Sequence, residues 1–438
     1  MTKGPSRHPL GPTTPAKVFQ VLCDDSTCAL WLDHHGERGS GVSYLARGTP
    51  LELTPGWRDE IRSAWREHAL PEKVDLGGVP LGIHLVFPFE LGAEFLGLAA
   101  EGDVRPRAIL VTSVVEVRHD TGEAAVVSLA EPEGSSLRQT LAEALETMPP
   151  MEDPVLPGVD GVAWRDSQQR YHEMIASAQR YIAEGDAYQL CLTTELQVAG
   201  TIDPVALHRV MRQTNPTHHQ ALIRFPDVTM VSASPETFLS LSPDGTLSTR
   251  PIKGTRPRGE SAEEDLRLRQ ELVESDKEQA ENLMIVDLMR NDLSKVCETG
   301  SVRVPELLVV ESYATVHQLV STIEGSLRHG RDLIDVLEAT FPAGSMTGAP
   351  KRRALEILQE LEGAPRGLYS GTYGVWRSDG SAECAMTIRT AIVREDSLSI
   401  GVGGGITALS DPAEEIREVG IKARAFLRAL GIEQVGYS

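Results

Sequence analysis

Apolar residues alternate with polar ones in some stretches of the chain and recur every three to four positions in others. Alternation marks half-buried strands, and the longer period marks amphipathic helices. ALWLDHHGERGSGVSYLARG (29–48) reads as two strands around a loop, and RAILVTSVVEVRHDTGEAAVVSLA (107–130) as a hairpin turning at DTGE. SLRQTLAEALETM (136–148) is helical in period. In DSQQRYHEMIASAQRYIAEGD (166–186), Tyr171, Met174, Ile175, Ala178, Tyr181 and Ile182 share one helical face. Asp166 or Ser167 can cap its start, and Gly185 ends it. AYQLCLTTELQVAG (187–200) is a strand, and VTMVSASPETFLSLSP and LSTRPIKGTRPRGE are strands joined at PDG. Helical patterns cover 261–292, 331–339, 350–362 and 411–430, and late strands lie in 370–393 and 397–407.

Strands and helices interleave without a regular strand–helix–strand rhythm, which places the chain in the α+β class. PPMEDPVLPGVDG (149–161) is the linker candidate, because its prolines and glycines cannot continue a helix. It separates an N-terminal region, 18–148, from a region at 162–434. Residues 1–17 lack an apolar core segment and read as a disordered lead without a secretory signal, so the expected location is the cytoplasm.

Composition narrows the function classes. The 438 residues carry 42 basic and 63 acidic side chains, a formal charge of -21. That excludes a nucleic-acid binder, whose partner would be repelled, and no apolar run is long enough for a membrane span. Five scattered cysteines with no C-x-x-C pair fit neither a zinc site nor a disulfide framework.

Two acidic pairs, Glu278 with Glu281 and Glu415 with Glu418, are each spaced to share a helix face. Two such faces meeting would suit a hard cation such as Mg2+, although solvated surface acids are the commoner origin of this spacing. GVGGGIT (401–407) exposes backbone N–H groups and suits close approach of an anion, or is simply a glycine-rich turn. Arg389 stands among apolar residues of a strand and needs an anionic partner. Glu236, after a proline at a strand end, is either a general acid or a surface acid. His317 alone reads as a core histidine.

Seven strings taken together resemble the chorismate-utilising enzymes: SASPETFL, PIKGTRPRG, EQAENLMIVDLMRNDLSKV, FPAGSMTGAPKRRALEIL, GLYSGTYGVW, AMTIRTAIV and GVGGGITALSDPAEEIREVGIKA. They follow one another in the family's order, and the resemblance covers roughly 165–430. The resemblance implies a sandwich of two large antiparallel sheets with helices outside, as in anthranilate synthase component I. It implies that Glu281 and Glu418, with Glu278 and Glu415 beside them, hold Mg2+ against the ring carboxylate of chorismate. Arg389 and Tyr369 would grip the pyruvyl carboxylate. Gly403, Gly404, Gly405 and Lys422 would complete the anion site, and Gly254, Thr255 and Ser345 would line the pocket. His317 matches the family's active-site histidine and Glu236 its general acid.

Two positions divide the family. Water-adding members have a lysine where this chain has Gln189, and an amide cannot take up a proton at neutral pH. Anthranilate synthases carry PIAGT, whereas the PIKGT form around Lys253 is that of the aminodeoxychorismate synthases. The resemblance therefore implies amination of chorismate at C4 on the route to 4-aminobenzoate, for folate or a specialised metabolite, with Lys253 as a covalent nucleophile. Anthranilate formation is the alternative. No G-x-C-x-G nucleophile elbow is present, so ammonia is expected from a separate glutamine amidotransferase subunit. The Leu-Glu-Ser and Pro-Tyr-Met stretches with which regulated members bind tryptophan correspond here to WLDHH and TNPTHHQAL.

Overall fold

The structure is a computed structural model and describes residues 4–23, 28–35, 41–71, 74–156, 158–313 and 316–432. The alternating stretches resolve into two antiparallel sheets of twelve and ten strands. The first sheet runs from Ser6–Pro12 at one edge, through Ala29–His35, His219–Phe225 and Val228–Ser234, to Ser397–Ile406 and Gln189–Ala199. The second runs from Ile252–Pro257 and Val316–Ser326, through Thr237–Leu241 and Ala382–Met386, to Gly82–Phe87 and Thr49–Pro50. Each sheet takes strands from both sides of the 149–161 segment, so the N-terminal region is woven into the same body as the rest.

Three apolar clusters set the layers. Leu30, Ile109, Val114, Ile223, Met230, Tyr373, Ala385 and Ile392 come from both sheets and form the core between them. Tyr171, Met174 and Ile175 of helix Gln168–Ala183 and Val419 and Phe426 of helix Pro412–Ala429 pack on the outer face of the first sheet. Ile285 and Met289 of helix Asp276–Ser294 and Ile334 and Leu337 of helix Leu333–Thr340 pack on the second. The expected two-sheet sandwich with external helices is thus the observed architecture. Among the described residues, no helix is long and apolar enough to cross a membrane. Cys28, Cys191, Cys297 and Cys384 are buried thiols outside any disulfide.

Two expectations need correction. The supposed disordered lead contains a strand, Ser6–Pro12, paired with Glu123–Ser128, and the start of a helix, Pro15–Leu22. Its prolines and glycine resemble disorder in composition, but an edge strand tolerates them because one side of it needs no ladder partner. The 261–292 pattern is two helices, Ala262–Val273 and Asp276–Ser294. Ser275 breaks it by accepting a hydrogen bond from the Glu278 N–H, the N-cap arrangement that a Ser-x-x-Glu sequence favours.

One buried ion pair ties the site-bearing elements together. Arg366 donates to both oxygens of Glu362 at 2.7 and 2.8 Å, to the carbonyls of Cys191 and Met346 at 2.7 Å each, and to the Ser370 hydroxyl at 3.3 Å. Glu362 in turn accepts from the Thr193 N–H and hydroxyl. Both side chains are almost fully buried, and removing one partner strands the other charge. Arg366→Ala is expected to lower stability by about 3–5 kcal/mol, measured as a shift in the urea unfolding midpoint. A change under about 1 kcal/mol, the scale of an exposed pair, would remove this pair from its organising position.

Candidate active site

Candidate residues from both sheets border one space. Lys253 lies on the edge strand Ile252–Pro257, opposite Leu319. The register slips between Lys253 and Thr255, and Gly254 takes up the slip at φ +75°, a conformation that glycine adopts without steric cost. A side chain at Gly254 would stand 2.7 Å from Leu272 and 2.9 Å from the Glu278 carboxyl carbon. The bulge therefore lets the strand lie against the two capped helices. It leaves the Lys253 Nζ 3.9 Å from Glu281 Oε2.

The facing wall is the strand Ser397–Ile406 of the first sheet. Gly401 lies against the Tyr369 ring so closely that any side chain would collide with it. The Gly403 carbonyl accepts a hydrogen bond from Lys422 at 2.6 Å. A Cβ at Gly404 would be 3.1 Å from Glu415 Oε2, and one at Gly405 would overlap the Gln189 amide and stand 3.6 Å from the Lys253 Nζ. Lys253 of one sheet and Gly405 of the other thus border the same space.

The two acidic helix faces do meet. Lys277 Nζ is 3.2 Å from Glu415 Oε1 and 4.0 Å from Glu281 Oε1, and so links helix Asp276–Ser294 to helix Pro412–Ala429. Glu418 pairs with Lys422 at 2.7 Å, and Glu278 with Arg256 at 3.6 Å. Glu281 is raised above the ordinary carboxylate range, first by burial and then by Glu278 and Glu415, despite Lys253 and Lys277. Glu418 is lowered, because Lys422, Lys277 and Lys253 outweigh its desolvation. All four are carboxylates, the oxygen donors a hard dication takes, although no three of them bring ligand oxygens within 4.8 Å of one another. Their chemistry fits Mg2+, and the oxygens would have to close on the ion when it binds. Pattern reading missed Lys277, although its spacing of four from Glu281 was in the sequence.

Glu236 lies where the chain passes from strand Val228–Ser234 of the first sheet to Thr237–Leu241 of the second. Burial pushes its carboxyl up to about 7, against Lys253, a hydrogen bond from Ser345 and Lys422. It is thus poised to hold a proton near neutrality, as a general acid must. Gln189 is 1% exposed, and neither end of its amide has a hydrogen-bond partner. A buried amide without partners is costly unless a ligand meets it. Arg389 has a left-handed backbone, φ 47°, rare outside glycine. Burial lowers its pKa, and Glu418 is the charge acting against that. Its guanidinium makes no hydrogen bond among the described residues. Tyr369 is buried, and desolvation keeps its hydroxyl protonated.

His317 stands differently from the other candidates. Its Nε2 is 3.0 Å from Asp265 Oδ1 and its Nδ1 2.8 Å from the Ser312 hydroxyl. Asp265 is held low by Arg258 and the Gly259 N–H. His317 lies across the strand pair from Arg256, with Thr255 opposite Gln318. These contacts make it an organiser of the rim. Asp265, its partner, was not foreseen, since nothing in a helix of mixed charge marks one carboxylate.

Residues 43–428 match the family described as chorismate binding enzyme. The chain belongs to that family. It is 42% identical to an aminodeoxychorismate synthase of Streptomyces pristinaespiralis, over 94% of this chain and 63% of that protein. It is 35% identical to an anthranilate synthase component 1 of Streptomyces coelicolor, over 95% of this chain and 86% of the relative. Among solved structures, anthranilate synthase component I from Streptococcus pneumoniae superposes with a TM-score of 0.74 at 25% identity, covering 97% of this chain and 92% of that one. The chain spans less than two thirds of the aminodeoxychorismate synthases it matches most strongly.

The raised Glu236 has a stability signature. Its protonated form suits the fold, so its contribution is complete below the ordinary value of 4.5 and is lost as pH rises to about 7. Glu236→Gln keeps a neutral group throughout. Its melting temperature relative to wild type should therefore climb between pH 4.5 and about 7 and level off above that. A difference that stays flat over this range would mean that Glu236 titrates like an exposed carboxylate.

Proposed function

We propose that the chain is the chorismate-aminating component of an aminodeoxychorismate synthase. It would convert chorismate and ammonia to 4-amino-4-deoxychorismate on the route to 4-aminobenzoate, in the cytoplasm. The observation that carries this reading is the placement of Lys253. Its amine borders Gly405 and Glu281, with the raised Glu236 carboxyl close enough to feel its charge. Gln189 occupies the position where a water-activating lysine would stand. The identity to aminodeoxychorismate synthases supports the same reading.

The chemistry follows from these groups. An amine attacks only when neutral, and in that form Lys253 would add to ring C2. The C1–C2 and C5–C6 double bonds shift to C1–C6 and C4–C5, and the C4 hydroxyl leaves as water with the Glu236 proton. Ammonia then attacks C4, the double bonds shift back, and Lys253 departs from C2 as a neutral amine. The product ammonium returns a proton to Glu236 through solvent. The pyruvyl ether survives both steps. Arg389 and Tyr369 would hold its carboxylate, while the Gly403–Gly405 strand and Lys422 would face the anionic substrate. Glu278, Glu281, Glu415 and Glu418 would hold Mg2+, which when bound neutralises the ring carboxylate. Gly254, Thr255 and Ser345 would line the pocket, with His317 beside them across the strand pair from Arg256. Ammonia would come from a separate glutamine amidotransferase.

Covalent catalysis divides one difficult displacement into two easier ones. Lys253→Ala should therefore cut ammonia-dependent formation of the C4-amino product by ~100-fold, and Lys253→Arg should not rescue it because guanidinium stays protonated. With chorismate and Mg2+ but no ammonia, mass spectrometry should find an adduct on the Lys253 peptide of wild type. Product within about tenfold of wild type from Lys253→Ala would reduce the lysine to an electrostatic neighbour.

A second reading, anthranilate formation, is favoured by the long match to an anthranilate synthase component 1. Product analysis separates the two, since anthranilate has lost the pyruvyl group. Under either reading, Glu281→Gln and Glu418→Gln should abolish turnover at limiting Mg2+ with circular dichroism unchanged. Near-normal rates in either variant would rule out the metal assignment.

A further inference from the structure

Away from the cleft, three side chains with metal-ligating atoms come together. One ligand atom each from His34, His218 and Glu383 lies within 4.8 Å of the other two. His34 is on strand Ala29–His35, and His218 immediately precedes the neighbouring strand His219–Phe225. Glu383 comes from strand Ala382–Met386 of the opposite sheet. The two imidazoles stand edge-on at 79°, with ring centres 6.1 Å apart. None of the three belongs to the acidic helices of the cleft.

The surroundings suit an ion more than an organic ligand. His34 and Glu383 line a cavity of about 50 Å3 between the sheets, room for an ion and a few waters. Arg377 donates to Glu383 Oε2 at 2.9 Å, and His219 Nδ1 lies 3.6 Å from Oε1. Ligating carboxylates are oriented by such neighbours. Burial lowers the pKa of His34, which favours the neutral, ligating form of its ring. His34 and His218 lie in WLDHH and TNPTHHQAL, the stretches that correspond to those with which regulated relatives bind tryptophan.

We propose that His34, His218 and Glu383 form a binding site for a zinc-class divalent ion, separate from the all-carboxylate cluster, that cross-links the two sheets. Two imidazoles and a carboxylate are the protein ligands of open, three-ligand zinc sites. Tetrahedral bonds of about 2.0–2.1 Å hold ligand atoms roughly 3.4 Å apart, so the three groups have only to close by about an ångström. His218 is exposed, and its ring can turn to do so. Nitrogen donors also set the site apart from one that selects Mg2+.

The test uses the full chain, stripped with a chelator and held in excess Mg2+ so that the carboxylate cluster is occupied. Zn2+ is then titrated in competition with a chromophoric chelator. One equivalent should bind and raise the melting temperature. His34→Ala and His218→Ala should each weaken binding at least tenfold and lose the thermal shift. Glu281→Gln should leave Zn2+ affinity unchanged. His218 is exposed, so its variant should fold even if the His34 variant does not. Wild-type Zn2+ binding in His218→Ala, loss of binding in Glu281→Gln, or no saturable binding in wild type would each overturn the proposal.

Discussion

Arg366 is the point on which the cleft hangs. It reaches the strand carrying Gln189, the turn carrying Ser345, the segment carrying Tyr369 and the end of helix Lys351–Glu362. A guanidinium offers five donors in a fixed plane, and here they fix four separate pieces of backbone relative to one another. An apolar side chain of the same volume could fill the space but could not set those angles. Burying the charge is costly, and Glu362 offsets the cost while holding Thr193. The result is a first-sheet wall that stays in position when the second sheet, with Lys253 and Glu236, is brought against it.

That meeting of two walls explains the electrostatics. Lys253, Lys277 and Lys422 stand among Glu236, Glu278, Glu281, Glu415 and Glu418. Glu236 is raised because it is sealed from water, whereas Glu418 is lowered because three lysines act on it. Environments that push like groups apart let one site hold both a proton donor and anionic ligands at the same pH.

Much of this was legible in the chain. The helix of Tyr171 and Met174 begins at Ser167, one of its two expected caps, and the acidic helices are joined through Lys277, which the spacing of the pairs alone did not require. What escaped was whatever depends on a partner distant in sequence. Arg366 and Glu362 look like any i,i+4 surface pair until the fold buries them. The Ser6–Pro12 strand exists only because Glu123–Ser128 lies beside it. The break at Ser275 was a local signal overlooked, since the apolar period continued across it. Asp265 becomes a partner of His317 only through the packing of a helix on a strand pair.

The glycines of strand Ser397–Ile406 have a consequence for how such a site can change. Gly401 is closed by a tyrosine ring, Gly403 by the Leu192 carbonyl and Gly405 by an amide. Each faces a different neighbour, so no single compensating substitution would make room for side chains at all three. This wall is closed to gradual variation. New substrate preferences within this architecture have to arise on the opposite side, along the edge strand of Lys253, where the backbone already departs from regular pairing.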